Sequence, residues 1–124
     1  MKPFLFIFLG GGTGSILRYY LGRLLQGYFT SGFPAGTLGV NIFACFLIGL
    51  ISGMIDSGYN ISPATRLLLI TGFCGGFSTF SAFSIESLKL FQEGRYFYLV
   101  VYLTLSLVFC ILAVFGGLIA GSKI

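Results

Sequence analysis

The stretch GFCGGFSTFSAFSIES, residues 72–87, decides how the chain is organised. Two adjacent glycines, Gly75 and Gly76, are followed by Ser78 and Thr79, although the flanking sequence is rich in Leu, Ile, Val and Phe. Glycine is a poor helix former, whereas Ser or Thr is a good N-cap. The pattern predicts an interrupted helix, with one half ending near Gly75 and the next beginning near Ser78; the alternative is a mere kink at the glycine pair.

The rest of the chain is too apolar for a soluble domain. Of its 124 residues, 56% are hydrophobic and 8% are charged, whereas a soluble domain carries about a quarter charged residues. Runs of about 20 apolar residues cross a bilayer core, and four such runs are present, over residues 4–25, 35–55, 67–90 and 96–120. Residues 1–124 are therefore predicted to form a single all-α membrane domain, with four transmembrane helices and the third broken near its middle.

The first run is expected to be an uncleaved helix, because no A-x-A cleavage site follows it.

An interruption at membrane depth is tolerated only where protein or a water-filled cavity covers the backbone. It leaves carbonyl groups free to hold a cation, and a helix N-terminus whose partial positive charge favours an anion. The broken third helix is therefore the first candidate for a functional site.

Several function classes are excluded by composition. The chain has no His, and its three cysteines lie in apolar runs without metal-ligand spacing, so a zinc site is excluded and buried free thiols are expected. The seven basic residues are scattered at helix ends and form no patch for nucleic acid. Neither a P-loop nor a nucleophile–base pair is present, so no enzyme is expected.

The basic residues give almost no orientation signal. Four spans put both termini on one side, with three Lys or Arg residues there and four on the other, or three if Arg18 lies too deep to count. Orientation follows the Lys/Arg asymmetry of short loops. One interpretation is that the chain is too small to show a bias; the other, which we favour, is insertion in both orientations as an antiparallel homodimer.

Polar and aromatic residues recur at helical spacing around the predicted break. Asn41 lies deep in the second run, where a polar side chain marks either a pathway or one interhelical hydrogen bond. Phenylalanines and serines recur every three residues after the break, and Tyr98, Tyr102, Ser106 and Cys110 recur every four in the last run. A phenyl ring has a positive edge, so hydroxyls beside ring edges favour a small anion, although a Phe row is also ordinary packing.

Three Gly-x-x-x-Gly pairs have a structural interpretation. Such pairs let two membrane helices approach closely, and they are predicted to form packing faces. They begin at Gly10, Gly49 and Gly117.

Three stretches resemble the Fluc (CrcB) family of fluoride channels: GGTGSILRYYLG at 11–22, PAGTLGVNIFACFLIG at 34–49 and TGFCGGFSTFSAFS at 71–84. The resemblance implies a four-helix subunit in the bacterial plasma membrane, inserted in both orientations as an antiparallel homodimer. It further implies two fluoride pores, passive fluoride export, and a central structural sodium ion held by backbone carbonyls at the break.

The resemblance also assigns roles by position. The sodium carbonyls fall on Gly75 and Ser78 of each subunit. The fluoride pathway falls on Asn41, Phe80, Phe83, Ser81, Tyr102 and Ser106. Cys110 stands next in the polar track, where a hydroxyl is common, and a thiol is a weaker donor.

Two other functions compete with the channel. A dual-topology small multidrug antiporter shares the size, but it needs a membrane-embedded carboxylate to exchange protons for a cationic drug. The first run has no acid, and the chain's acids are Asp56, Glu93 and Glu86, the last toward the end of the third run. A purely structural membrane subunit would leave Asn41 and the broken helix without a role.

Overall fold

The computed structural model describes all 124 residues, and every regular element in it is helical. Helix α1 spans Lys2–Gln26, α2 spans Ala35–Asp56, and the last helix, α6, spans Tyr96–Gly121. Between α2 and α6 lies the third span, Pro63–Gln92, and all four spans are long and apolar enough to cross a membrane. The predicted all-α architecture with four membrane spans is confirmed.

The third span consists of four pieces. It begins with α3 (Pro63–Arg66), continues as a π-helical segment (Leu67–Cys74) and a short α4 (Gly75–Phe77), and resumes as α5 (Phe80–Gln92). Between α4 and α5, Ser78 and Thr79 have extended backbone, with ψ angles of 156° and 117°. The hydroxyl oxygen of Thr79 caps α5 by accepting a hydrogen bond from the N–H of Ala82 at 3.2 Å. The predicted interruption is therefore present.

The glycines are not where the helix breaks, which corrects the predicted position. Gly75 has helical dihedral angles (φ −65°, ψ −38°), and the helix continues through Phe77. A Cβ atom added to Gly76 would lie 2.4 Å from the carbonyl oxygen of Gly11 in α1. Gly76 is therefore needed for close helix packing, and the two residues that follow Phe77 form the break.

The glycine pairs pack the helices in two closely apposed couples. Gly10 and Gly14 of α1 lie against the first half of the third span, where added Cβ atoms would meet the carbonyl oxygens of Leu68 and Phe73 at 2.1 and 2.3 Å. Cβ atoms added to the glycine pairs of α2 and α6 would meet the backbone of the other helix at similar distances; on Gly117, for example, the Cβ would lie 2.2 Å from the carbonyl oxygen of Phe46. The predicted packing role of all three pairs is confirmed.

Helices α2 and α6 run parallel in a constant register. Gly49 lies against Val114 and Gly53 against Leu118. Just beyond the C-terminal ends of both helices, the hydroxyl of Ser57 donates to the carbonyl oxygen of Ser122, 65 residues later in the chain, at 3.2 Å. The same separation of 65 residues relates both glycine contacts, so each residue of α2 on this face lies beside the residue of α6 that follows it by 65.

A small buried cluster joins the two couples of helices next to the break. Val40 and Ala44 of α2 contact Phe77, the last residue before the break, and all three are nearly inaccessible. Leu17 of α1 packs against this cluster. Protein thus covers one side of the interrupted backbone, as a break at membrane depth requires.

Candidate functional site

The side chain of Asn41 braces the interrupted backbone at Thr79. Its Oδ1 accepts a hydrogen bond from the N–H of Thr79 at 2.8 Å, and its Nδ2 donates to the carbonyl oxygen of Thr79 at 3.1 Å. A polar side chain at membrane depth is stable only when its hydrogen-bonding groups have partners. The amide of Asn41 therefore replaces helical hydrogen bonds that the break removes.

The break redirects two backbone donors away from their helical acceptors. In a continuous helix the N–H of Thr79 would donate to the carbonyl of Gly75, but it donates to Asn41 instead. The N–H of Ala82 would donate to the carbonyl of Ser78, but it donates to the Thr79 hydroxyl. The carbonyls of Gly75 and Ser78 thereby lose their helical donors, and these are the two groups that the family resemblance assigned to a sodium ion.

A cavity of about 270 Å³ opens beside the break. It is lined by residues of α2, the break, α5 and α6, and none of its ten lining residues is acidic or basic. Four of the predicted pathway residues line this cavity: Asn41, Phe80, Phe83 and Ser106. Cys110, the next residue of the polar track in α6, lines it as well. The structure thus gathers residues from three spans around one small uncharged space.

Two predicted pathway residues lie outside this lining. Ser81 is on the exposed face of α5, with its hydroxyl 3.2 Å from that of Thr79. Tyr102 is fully buried in α6, and its ring centroid lies 5.1 Å from that of Phe83. Tyr102 therefore contacts the cavity lining at Phe83, and Ser81 contacts the lining at Thr79.

The two phenylalanine rings of α5 differ in exposure, and its two remaining serines are bonded within the helix. The ring centroids of Phe80 and Phe83 are 5.5 Å apart, and Phe83 is half-buried. The Phe80 side chain is 78% exposed in the single subunit. The hydroxyls of Ser84 and Ser87 donate to carbonyls of their own helix, at 2.9 and 2.7 Å, so these two serines need no ligand.

Glu86 has a structural role that the sequence did not predict. Its Oε1 accepts a hydrogen bond from the hydroxyl of Thr37 at 2.7 Å, and its Oε2 accepts one from Tyr102 at 2.8 Å. The register of α2 and α6 brings Thr37 and Tyr102 side by side. The carboxylate of α5 therefore joins these two helices one turn away from the cavity.

The register extends this pairing into a ladder of polar side chains between α2 and α6. We call the polar ladder the three pairs related by 65 residues: Thr37 with Tyr102, Asn41 with Ser106, and Cys45 with Cys110. Its two lower pairs both line the 270 Å³ cavity. Four-residue spacing in the sequence indicates the α6 half of the ladder, and the same spacing of Thr37, Asn41 and Cys45 in α2 was the signal for the other half.

A second cavity, of about 390 Å³, lies on the other side of Thr79 and contains charged side chains in its lining. Arg18 and Arg23 of α1 line it, together with Thr37 of the polar ladder and Glu86 of α5. Thr79 lines both cavities. A cavity lined by two arginines and one glutamate thus meets an uncharged cavity at the helix break.

Comparisons with known proteins all point to the same family. Residues 5–118 match the family model described as CrcB-like protein, Camphor Resistance (CrcB). A protein of Phocaeicola vulgatus named fluoride-specific ion channel FluC is 48% identical over 118 residues, which cover 95% of this chain and 97% of that one. Proteins of the same name from Flavobacterium psychrophilum and Pyrococcus horikoshii are 40% and 44% identical, covering 100% and 94% of both chains.

The family model and the relatives extend over nearly the whole chain, and the four apolar helices agree with a multi-pass membrane protein. The resemblance inferred from the three sequence motifs is confirmed. The chain belongs to the CrcB-like family.

Proposed function

We propose that this protein is a fluoride-selective channel through which fluoride leaves the cell passively, down its gradient. The relatives that match over their full length are named fluoride-specific ion channels. The observation in this chain that carries the proposal is the 270 Å³ cavity, whose lining combines hydroxyl, amide and phenyl groups without an acid or a base. A channel of this kind performs no chemical step, so no catalytic residue is assigned.

The chemistry of the lining suits a small, partly dehydrated anion. The phenyl rings of Phe80 and Phe83 have positive edges, and α5 begins at Phe80, so the positive end of its dipole is directed toward the break. Ser106 adds a hydroxyl donor. On the far side of Thr79, Arg18 and Arg23 raise the local anion concentration in the second cavity. Together with Asn41, Ser81 and Tyr102, these residues form the proposed fluoride pathway.

The functional unit in this proposal is an antiparallel homodimer with two pathways. The near balance of basic residues on the two sides supports insertion in both orientations. Phe80, although it lines the cavity, is 78% exposed in one subunit, and Gly75 is also exposed. A second copy packed against this face would cover both residues and complete the wall of each pathway.

A structural sodium ion between the subunits is part of the same proposal. Hard cations prefer oxygen ligands, and no group of three or more acidic, His or Cys side chains is arranged to hold a metal. The redirected hydrogen bonds at the break leave the carbonyls of Gly75 and Ser78 without their helical donors. These carbonyls, supplied by both subunits, fit a sodium ion and would tie the two breaks together.

Anion efflux from proteoliposomes tests the proposed function. The purified protein is reconstituted in vesicles loaded with fluoride or chloride, and efflux is followed with ion-selective electrodes. We expect fast fluoride efflux and negligible chloride efflux. Equal rates for both anions would overturn the selectivity, and proton-driven uptake of a cationic dye without fluoride efflux would favour the antiporter instead.

A further inference from the structure

The lowest pair of the polar ladder consists of two thiols. Cys45 of α2 and Cys110 of α6 are related by the same 65-residue register that brings Gly49 against Val114 one turn below. Both side chains are half-buried, and both line the 270 Å³ cavity. Two thiols from different helices therefore face one space, and the proposed anion pathway gives neither of them a task.

We propose that Cys45 and Cys110 form a two-thiol binding site for a soft, two-coordinate metal ion, such as Hg²⁺, and that the bound ion blocks the cavity. The binding itself is independent of the transported ion, whereas the block rests on the proposed channel function. Thiolates are soft ligands that select soft metal ions over Mg²⁺ or Ca²⁺. The hydroxyls and the amide of the other two ladder pairs are hard ligands and do not compete for such an ion.

The binding step is a ligand exchange without redox chemistry. The S–H bonds of Cys45 and Cys110 break and two protons leave to solvent. Two metal–sulfur bonds form as the ion releases the two chloride or water ligands that it carried. A linear ion needs only two sulfur ligands, so the absence of any cluster of three or more metal-binding side chains does not oppose it. The cavity of about 270 Å³ has ample room for one ion, since a water molecule in the liquid occupies about 30 Å³.

Cys74 is the competing thiol and supplies a matched control. It is buried, with 4% of its surface exposed, and lies in the π-helical segment of the third span. It lines a different cavity, of about 280 Å³, which Cys45 also borders. Cys74 is outside the register that pairs α2 with α6, so removing it should leave the proposed site intact.

Metal retention tests the site without any transport measurement. The full-length protein in detergent is incubated with one equivalent of HgCl₂ per chain, passed over a desalting column containing N-acetylcysteine, and analysed for mercury and for free thiols after denaturation. We expect about one mercury per chain and two thiols lost in the native protein and in Cys74→Ala. Cys45→Ser and Cys110→Ser should each lose most of the mercury, because a single thiol cannot chelate the ion.

Fluoride efflux from proteoliposomes tests the block. We expect Hg²⁺ to slow efflux about tenfold or more in the native protein and in Cys74→Ala, with reversal by a dithiol. Cys45→Ser and Cys110→Ser, each compared with its own metal-free rate, should resist the block. Mercury retention that depends on Cys74, or an undiminished block in the double variant of Cys45 and Cys110, would overturn the proposal. Absence of efflux before metal is added would instead refute the proposed function and leave the retention result standing.

Discussion

Asn41 and Thr79 form a two-bond pair in which one side-chain amide satisfies both the N–H and the carbonyl of an extended residue. The pair lies between α2 and the break of the third span, at the junction of the two cavities. For Asn41, the sequence left open either an ion pathway or a single interhelical hydrogen bond. The structure adds a third role, because the amide holds open the break around which the cavity forms.

A negative charge at Asn41 tests the sign of the permeating ion. Asn41→Asp retains an acceptor for the Thr79 N–H, but it places a carboxylate at the cavity, and we expect fluoride efflux to fall below detection. The control is Asn60→Asp, the same chemical change in an exposed loop residue, which should leave efflux unchanged. Near-native efflux in Asn41→Asp would argue that no anion passes this residue.

Loss of the amide without a new charge tests the bracing role. In Asn41→Ala the N–H of Thr79 loses its acceptor and the carbonyl of Thr79 loses its side-chain donor. An unsatisfied buried polar group costs about 1–3 kcal/mol. We therefore expect a lower thermal unfolding temperature in detergent, measured by size-exclusion chromatography of heated samples. A stability equal to that of the native protein would contradict the bracing role.

The phenyl rings at the cavity separate ion contact from packing. Phe80→Ile and Phe83→Ile keep an apolar side chain but remove the positive ring edge, so fluoride efflux should slow by about two orders of magnitude or more while the protein still purifies normally. Phe43→Ile is the control, because Phe43 packs edge-on against Phe77 and does not line the cavity. Near-native efflux in both cavity variants would reduce the rings to packing.

Sodium should act through backbone groups at the break. Replacing sodium with a large organic cation should impair fluoride efflux. The Ser78 hydroxyl donates only to the carbonyl of Cys74, at 2.8 Å. Ser78→Ala should therefore keep efflux within about threefold of native, since one local hydrogen bond contributes about 1 kcal/mol. A severe loss in Ser78→Ala with normal assembly would assign the cation to the hydroxyl instead.

The near balance of basic residues makes orientation adjustable. Adding two or three Lys residues to the loops of one side should force a single orientation and abolish efflux. Co-expression of two versions biased in opposite directions should restore efflux, measured in vesicles from the co-expressing cells. Full transport by one strongly biased version alone would rule out the antiparallel dimer.

Two adjacent glycines of α6 provide a packing test with an internal control. A Cβ atom on Gly117 would lie 2.2 Å from the carbonyl oxygen of Phe46, whereas nothing lies within 4 Å of a Cβ on Gly116. Gly117→Ala should therefore destabilise the protein by about 1–3 kcal/mol or more, and Gly116→Ala should be tolerated. Thermal unfolding in detergent distinguishes the two, and equal stabilities would contradict the α2–α6 register.

The membrane class, the number of spans and the presence of an interruption in the third span could all be predicted from the sequence. These properties follow from local composition, because hydropathy over about 20 residues and the capping tendency of Ser or Thr need no tertiary partner. The motif spacing was also enough to identify the family and to select Asn41, Phe80, Phe83 and Ser106, which the structure gathers around one cavity.

The position of the break and the contacts between polar groups depend on tertiary packing and could not be predicted from the sequence. Gly75 and Gly76 remain helical, and Gly76 packs against the backbone of α1, a contact between residues far apart in sequence. The role of Glu86 and the pairing of Cys45 with Cys110 depend on the register of α2 and α6. Glycine contacts between helices set that register, and the four-residue spacing within either helix leaves it undetermined.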